Sequence, residues 1–249
     1  MVKIKSVDAK AINDSRGEKT ISVTVETETG KKFSASAPNG KSRGKNEVKI
    51  YKKSLEEDIK SLKKLGDYLS EEILEVFEDL RRVEDVVREN VGGNSIMELE
   101  YAVLRESAEE QKKSVWEIVN SSYLGLEAGK MKFPRMVGNC VGGGQHSREV
   151  EGNKPDFQEF LLIPKSNIPS KAYEQNKKNK DNVKDFLKKE DVNFKEEEND
   201  EKAWQVSLNQ KQVLDVLGKL EVPLGVDVAA SAFYKRKKYS YRNPLIKRT

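Results

Sequence analysis

Three carboxylates in the second half of the sequence could carry acid–base or metal chemistry. Glu159 and Asp227 each lie inside an apolar stretch, and Glu201 lies two residues before Ala203 and Trp204. A carboxylate in an apolar strand needs a cation or hydrogen bonds, because burying it alone is very costly. Carboxylates at strand ends of α/β enzymes hold metal ions or transfer protons. A plain salt bridge at a strand end remains the alternative for each of them.

The single histidine, His146, follows a run of three glycines, residues 142–144. A histidine in a glycine-rich loop can reach a ligand, and a solvated loop histidine is the other interpretation. The glycines could cradle a phosphate, although neither the lysine nor the helix start of a P-loop follows them. With Cys140 as the only cysteine, the composition offers no Cys/His zinc cluster. Any metal would therefore be a hard cation held by carboxylates.

The composition indicates a folded chain with a heavily charged surface. Of the 249 residues, 36% are hydrophobic and 35% are charged, and the formal net charge is only +4. This length is enough to bury a sizeable core. The longest apolar runs fall far short of the ~20 residues of a membrane-spanning helix, and the N-terminus lacks an apolar signal core. We expect a cytoplasmic protein with no membrane partner.

A basic segment near the end of the sequence raises the question of nucleic-acid binding. Between Tyr234 and Arg242, lysines and arginines are interleaved with tyrosines, and such a segment can bind phosphates. The chain as a whole carries 46 basic against 42 acidic residues, and lysine-rich runs usually mark a solvated face. A nucleic-acid partner is therefore not expected.

The elements that must position these residues fall into two parts. Residues 2–37 alternate apolar and polar positions, which predicts an antiparallel meander, and residues 38–46 have the composition of a surface loop. From residue 54 to residue 120 the apolar spacing is helical, and Ser95 and Glu98 have capping-box spacing. We predict an α+β domain, a three-stranded antiparallel meander followed by helices, over residues 1–128.

Residues 129–249 show a different order of elements. Two strand-like stretches, residues 131–141 and 157–163, flank the glycine-rich loop. The densely charged residues 171–203 predict a solvated helix and a flexible connection. A helix at residues 209–220 and a buried strand at residues 224–230 follow. Strand, helix, strand order of this kind predicts an α/β layer.

Six motifs, in chain order, resemble those of the enolase family, and they extend over essentially the whole chain. They are Asn-Asp-Ser-Arg-Gly-Glu-Lys-Thr at 13–20, Ala-Pro-Asn-Gly-Lys-Ser-Arg-Gly at 37–44, Gly-Gly-Asn-Ser at 92–95 with Leu-Glu-Tyr-Ala at 99–102, Gly-Gly-Gly-Gln-His at 142–146, Asp-Phe-Gln-Glu-Phe at 156–160 and Gly-Val-Asp-Val-Ala-Ala-Ser at 225–231. The sequence is most similar to the archaeal branch.

This resemblance implies a β3α4 N-terminal domain, a C-terminal barrel beginning near residue 130, and a phosphopyruvate hydratase, a lyase of glycolysis and gluconeogenesis. The reaction would be the Mg²⁺-dependent dehydration of 2-phosphoglycerate to phosphoenolpyruvate. A closed eight-stranded α/β barrel takes about 250 residues, so residues 129–249 would form only about three of its eight strands. The fold expected is an incomplete, TIM-like barrel segment that ends in an open parallel edge.

The resemblance also implies roles for the residues already singled out. Glu201 matches the general acid, and Gln158 and Glu159 match a pair that contacts substrate and supports loss of the hydroxyl. His146 matches a histidine on a loop that closes over substrate. The chemistry suits these residue types, because a leaving hydroxide needs a proton.

Two further residues match metal positions of the family. Asp227 corresponds to a carboxylate ligand of one Mg²⁺, and Ser42 to a loop serine that closes over substrate and contributes to a second Mg²⁺. The remaining metal ligands and the lysine that abstracts the C2 proton would lie beyond the position that matches Thr249. The sequence departs from the family pattern at Ser22, Arg43, Asn199, Lys202 and Ala232.

These features lead to a principal hypothesis and an alternative. The chain would be the N-terminal half of an enolase, inactive alone and completed by a companion chain or in a homo-oligomer. Alternatively, it would be a catalytically dead, truncated relative that binds protein or RNA through its basic tail.

Overall fold

The computed structural model describes residues 2–40, 43–70, 73–74, 77–123 and 134–243. Two compact units result, one within residues 1–131 and the other mainly within residues 132–249. The domain boundary predicted between residues 128 and 129 lies outside the described residues, as does Ser42. Among the helices described, none combines the length and the apolar character that crossing a membrane requires.

The first unit contains an antiparallel sheet whose strand order is β3-β2-β1-β4. Its strands are β1 (Val2–Asn13), β2 (Lys19–Thr27), β3 (Lys32–Ser36) and β4 (Ile73–Leu74). The predicted meander is confirmed: Ile21, Val23 and Val25 alternate along β2 and are fully buried. The short β4 pairs with the free edge of β1, so the sheet has four described strands and not three.

Helices α1 (Leu55–Leu69) and α3 (Gly93–Glu110) pack on the buried face of this sheet. Helix α2 (Leu80–Val87) packs against both of them, and α4 (Val115–Tyr123) packs against α3. The predicted capping box at Ser95 is wrong, because α3 begins two residues earlier with Gly92 as its N-cap. Asp58 of α1 instead accepts hydrogen bonds from the Gly92 N–H and the Ser95 hydroxyl, both at 2.7 Å. A buried carboxylate from another helix thus satisfies the start of α3.

The second unit contains a three-stranded sheet of order β5-β6-β7. Its elements are β5 (Gly138–Gly142), β6 (Glu159–Leu162), α5 (Pro169–Glu190), α6 (Gln210–Leu217) and β7 (Leu224–Asp227), followed by the two-residue strands β8 (Tyr234–Lys235) and β9 (Lys238–Tyr239). Phe160 and Leu162 of β6 are buried in one cluster with Val183, Leu187 and Val213 of the two helices. Both helices therefore pack on one face of the sheet.

The described strands do not form the parallel arc of a barrel that the sequence predicted. β6 pairs antiparallel with both β5 and β7, and the parallel contact is limited to a bridge between Val141 and Trp204. β7 lies along the edge of β6, where its backbone groups find hydrogen-bond partners, for example Asp227 O with Gln158 N at 3.1 Å. The buried strand predicted at 224–230 is likewise wrong, since this edge strand is short and leaves Val226 36% exposed.

Candidate active site

The loop that follows β5 positions His146. In the turn of this loop, the His146 and Ser147 N–H groups donate hydrogen bonds to the Gly143 carbonyl oxygen, at 3.0 and 3.2 Å. A side chain at Gly143 would lie 2.7 Å from the Pro155 carbonyl oxygen and would overlap that of Phe157. Glycine is thus required by the close approach of the neighbouring segment.

The same glycines do not form a phosphate cradle. The Gly143 N–H donates to the Gln158 carbonyl and the Gly144 N–H to the Pro155 carbonyl, each at 2.9 Å. A phosphate would have to displace these bonds. The glycine run therefore serves to shape the His146 loop, and the phosphate interpretation is wrong for these two amides.

A second loop presents Glu201, and Asn199 organises it. The Asn199 side-chain oxygen accepts from the Glu201 and Ala203 amides at 3.0 and 2.9 Å. Its amide group lies 3.4 Å from the Ser147 hydroxyl, next to His146. Lys202 occupies the left-handed region with φ of 62°, a conformation that favours glycine.

Three side chains from distant parts of the sequence converge in this unit. His146 Nδ1 lies 2.7 Å from Glu201 Oε2 and 3.2 Å from Glu159 Oε1. His146 is 7% exposed, so little water competes for its ring. One Nδ1 position faces two carboxylate oxygens, and a single N–H cannot serve both at full strength. The arrangement is suited to holding a proton shared among the three groups.

The electrostatics of the cluster act mainly on Glu159. Burial and then the neighbouring Glu201 carboxylate raise the pKa of Glu159, while His146 opposes the shift. Asp227 adds a smaller effect in the raising direction. A carboxyl group whose neighbours disfavour its charge can retain a proton for transfer.

Asp227 and Gln158 lie at the edge of this cluster. Asp227 is the register partner of Glu159 across β6 and β7, so both side chains project from the same face of the sheet. Asp227 is exposed, and its Oδ1 accepts from the Ala229 N–H at 3.0 Å. Gln158 is 3% exposed and packs beside Gly144. The substrate contact expected of Gln158 stays a prediction.

Two asparagines of the site were not found by sequence reasoning. Asn139 of β5 donates to Glu201 Oε2 at 3.3 Å, and its buried Oδ1 has no hydrogen-bond partner within the described part of the chain. Asn199 entered only as a departure from the family pattern, although Asn before Asp-Glu could have indicated a side-chain-stabilised turn. Asn139 left no such signal, because its role depends on a residue 62 positions away.

Metal binding can be judged from the chemistry of these donors. His146, Glu159 and Glu201 each offer one ligand atom, and the three atoms lie within 4.8 Å of one another. Mg²⁺ prefers oxygen ligands and is usually held by one or two carboxylates together with substrate phosphates. The exposed carboxylate of Asp227 fits as one such ligand. A cavity of about 250 Å³ lies beside His146, and its lining includes Ser147 and Arg148.

Comparisons of the sequence with known proteins point to one family. The model of the family "Enolase, N-terminal domain" matches residues 4–119. Curated enolases from Methanosphaera stadtmanae and Pyrobaculum aerophilum are each 29% identical, over 96% and 94% of this chain. The enolase of Methanothermobacter thermautotrophicus is 28% identical over 96% of the chain. The chain spans about 60% of the length of these relatives. Residues 4–119 are therefore similar to the enolase N-terminal domain, and the chain as a whole is similar to enolases over that domain and the segment that follows it.

Proposed function

We propose that this chain supplies part of an enolase active site, for the Mg²⁺-dependent dehydration of 2-phosphoglycerate to phosphoenolpyruvate. The observation that carries the proposal is the convergence of His146, Glu159 and Glu201 on one point, with Asp227 opposite Glu159. His146 and Glu201 are 55 positions apart along the chain, and Glu159 and Asp227 are 68 positions apart. Their convergence supports a site more strongly than any one of them does.

In this proposal the carboxylates and the histidine manage the proton that accompanies the leaving hydroxyl. Glu201 acts as the general acid, and Glu159 shares a proton with it at His146 Nδ1, which faces both carboxylates. The raised pKa of Glu159 supports a protonated pair before the reaction. Gln158 would contact substrate from the same segment.

Magnesium would supply positive charge to stabilise the carbanion that forms next to the substrate carboxylate. Asp227 would hold one Mg²⁺, and Ser42 would contribute to a second. The donor set of the described residues supports the first assignment only in part, because Asp227 is one carboxylate and a Mg²⁺ site needs further oxygen ligands. Those ligands would come from the remainder of the barrel.

A companion chain that carries the remaining ligands and the lysine would complete the site. The sheet supports this proposal, because β7 is an edge strand and its outer side has no strand partner among the described residues. Half-buried Leu161 of the central strand and Ile163 lie next to the Gly225 position of β7. Unpaired edges with apolar neighbours are suited to pairing with another chain.

Reconstitution tests the proposal. The 249-residue chain is purified alone and together with a chain that carries the missing lysine and carboxylates, and phosphoenolpyruvate formation is followed with and without Mg²⁺. We expect activity only in the Mg²⁺-containing mixture. Absence of both activity and association in the mixture would refute the proposal.

Variants of the reconstituted complex then assign the acid. Glu201→Gln should abolish turnover and leave assembly intact, and Glu159→Gln should reduce turnover as well. Glu197→Gln is the matched control, because Glu197 lies four residues from Glu201 but is 54% exposed and pairs with Arg148. Turnover that persists in Glu201→Gln would show that Glu201 is not the acid.

A further inference from the structure

The basic segment noted in the sequence forms a compact hairpin outside the candidate active site. β8 and β9 pair antiparallel, with Tyr234 opposite Tyr239 and Lys235 opposite Lys238, and Arg236 and Lys237 form the two-residue turn. All of these residues are exposed. Within the described part of the chain, the four cations form no ion pair. The hairpin therefore presents four uncompensated positive charges at one tip.

The stability of the fold does not account for this choice of residues. Arg236 and Lys237 have φ values of 51° and 64°, in the left-handed region where a two-residue turn of this type favours Asn-Gly or Asp-Gly. Lys235 faces Lys238 across the strand pair, and like charges in this arrangement are destabilising. Such local cost at an exposed site points to a binding function.

The hairpin is held firmly at its base. Phe233 is buried, and its ring packs against those of Phe157 and Tyr241, with centroid distances of 6.5 and 5.0 Å. The Ser240 N–H donates to the Phe233 carbonyl at 2.9 Å. Arg242, just beyond β9, pairs with Glu149. The tip is thus presented on an ordered support, which lowers the entropic cost of binding.

Aromatic rings lie directly beside the charges. The rings of Tyr234 and Tyr239 are in contact, with centroids 4.9 Å apart, and the two residues are 49% and 57% exposed. Tyr241 is 41% exposed. Cations that contact phosphates next to exposed rings that stack on bases are the combination by which proteins bind single strands without sequence preference.

We propose that this hairpin binds single-stranded nucleic acid, with its four cations on phosphates and its tyrosines on bases. From the sequence alone, no nucleic-acid partner was expected, because that expectation averaged the charge over the whole chain. In the structure, these four cations are separate from the acidic residues that pair with other lysines. An acidic protein segment would use the charges but not the exposed rings, which favours the nucleic acid.

The double variant Arg236→Asn with Lys237→Gly tests the charges without disturbing the fold. It removes two cations and installs a favoured turn, so the variant should be at least as stable as the parent chain. Fluorescence anisotropy with a labelled twelve-nucleotide oligouridylate measures binding at several salt concentrations. The parent should show a slope of log K against log salt of about −2.8, and the double variant about −1.4, because each single-strand phosphate contact contributes about −0.7.

Two further variants separate charge from stacking. Lys177→Gln with Lys178→Gln removes two exposed lysines of α5 and should leave the affinity and the salt slope unchanged. Tyr234→Thr should weaken binding at least about fivefold with the slope retained, because stacking does not depend on salt.

The proposal is overturned if the turn variant binds like the parent chain, or if the Lys177 and Lys178 variant loses as much affinity as the turn variant. It is also overturned if polyglutamate of equal charge competes as well as the oligonucleotide, since charge alone would then explain binding. Binding of double-stranded nucleic acid, or of vesicles that contain anionic lipid, with the same affinity as the single-stranded oligonucleotide would also overturn the proposal.

Discussion

Replacing Gly143 by alanine should disconnect His146 from Glu201. The added Cβ would lie 2.7 Å from the Pro155 carbonyl oxygen and closer still to that of Phe157. Both obstacles are backbone atoms, which cannot rotate away as the end of a side chain can. The loop must therefore move, and the His146 backbone, which donates to the Gly143 carbonyl at 3.0 Å, must move with it.

The cost of Gly143→Ala follows from the bonds that this movement breaks. The Gly143 N–H donates to the Gln158 carbonyl at 2.9 Å, and the Gly143 carbonyl accepts from His146 and Ser147. At about 1 kcal/mol for each bond, loss of the three lowers the free energy of unfolding by about 3 kcal/mol. Gly152→Ala in the same loop is the matched control, because it meets no atom within 4 Å. Its φ of +79° alone costs about 1 to 2 kcal/mol.

The assay uses the fact that the chain has one histidine. Denaturant unfolding measures the two stabilities, and NMR of the imidazole follows the environment of His146 without overlap from other histidines. We expect Gly143→Ala to shift the imidazole signals strongly and Gly152→Ala to leave them near those of the parent. If Gly143→Ala left both stability and imidazole signals unchanged, the proposed role of the glycine in positioning His146 would be refuted.

Three further substitutions test other parts of the structure. Asp58→Ala should lower the free energy of unfolding by about 3 to 5 kcal/mol in denaturant titrations, because the buried carboxylate accepts three hydrogen bonds; a loss below about 1 kcal/mol would contradict this. Burial and then Glu110 raise the pKa of Glu106 from 4.5 to about 7, so the folded chain binds a proton that the unfolded chain has released, and stability falls as pH rises through this window. Glu106→Gln should remove about 2 to 3 kcal/mol of that fall between pH 5 and pH 8, and an unchanged pH profile would refute it. Lys202→Gly should stabilise the chain by about 0.5 to 1 kcal/mol in thermal unfolding, since φ is 62° and the exposed contact with Glu198 contributes little; destabilisation would show that the strain is absent.

The sequence predicted those elements whose periodicity reflects local burial. The alternation at Ile21, Val23 and Val25 identified β2 because one face of that strand is buried. Helical spacing identified α1 for the same reason. The capping box predicted at Ser95 is wrong, because capping-box spacing does not reveal that Asp58, 37 residues away, already binds the Ser95 hydroxyl.

For the site, the sequence predicted the residue types but not their arrangement. Glu159, Glu201 and His146 were singled out because strand ends and glycine-rich loops expose side chains, and the structure brings these three together. The antiparallel pairing of β7 with β6 could not be read from apolar runs, because a run has no direction. Asn139 was missed for a related reason, since its partner depends on how two distant segments meet.

The electrostatics of the cluster indicate what a complete site must add. Burial is the largest cause of the raised pKa of Glu159, and the charged groups that also act on it are two carboxylates, Glu201 and Asp227, and one histidine. A substrate with phosphate and carboxylate groups would bring further negative charge to this place, which is unfavourable unless cations arrive with it. In the proposed function, a divalent metal and basic side chains from outside the described residues would provide that charge. The described residues thus resemble the acid side of a catalytic site, and their excess of negative charge is the reason that the proposed activity should require both Mg²⁺ and basic groups from outside the described residues.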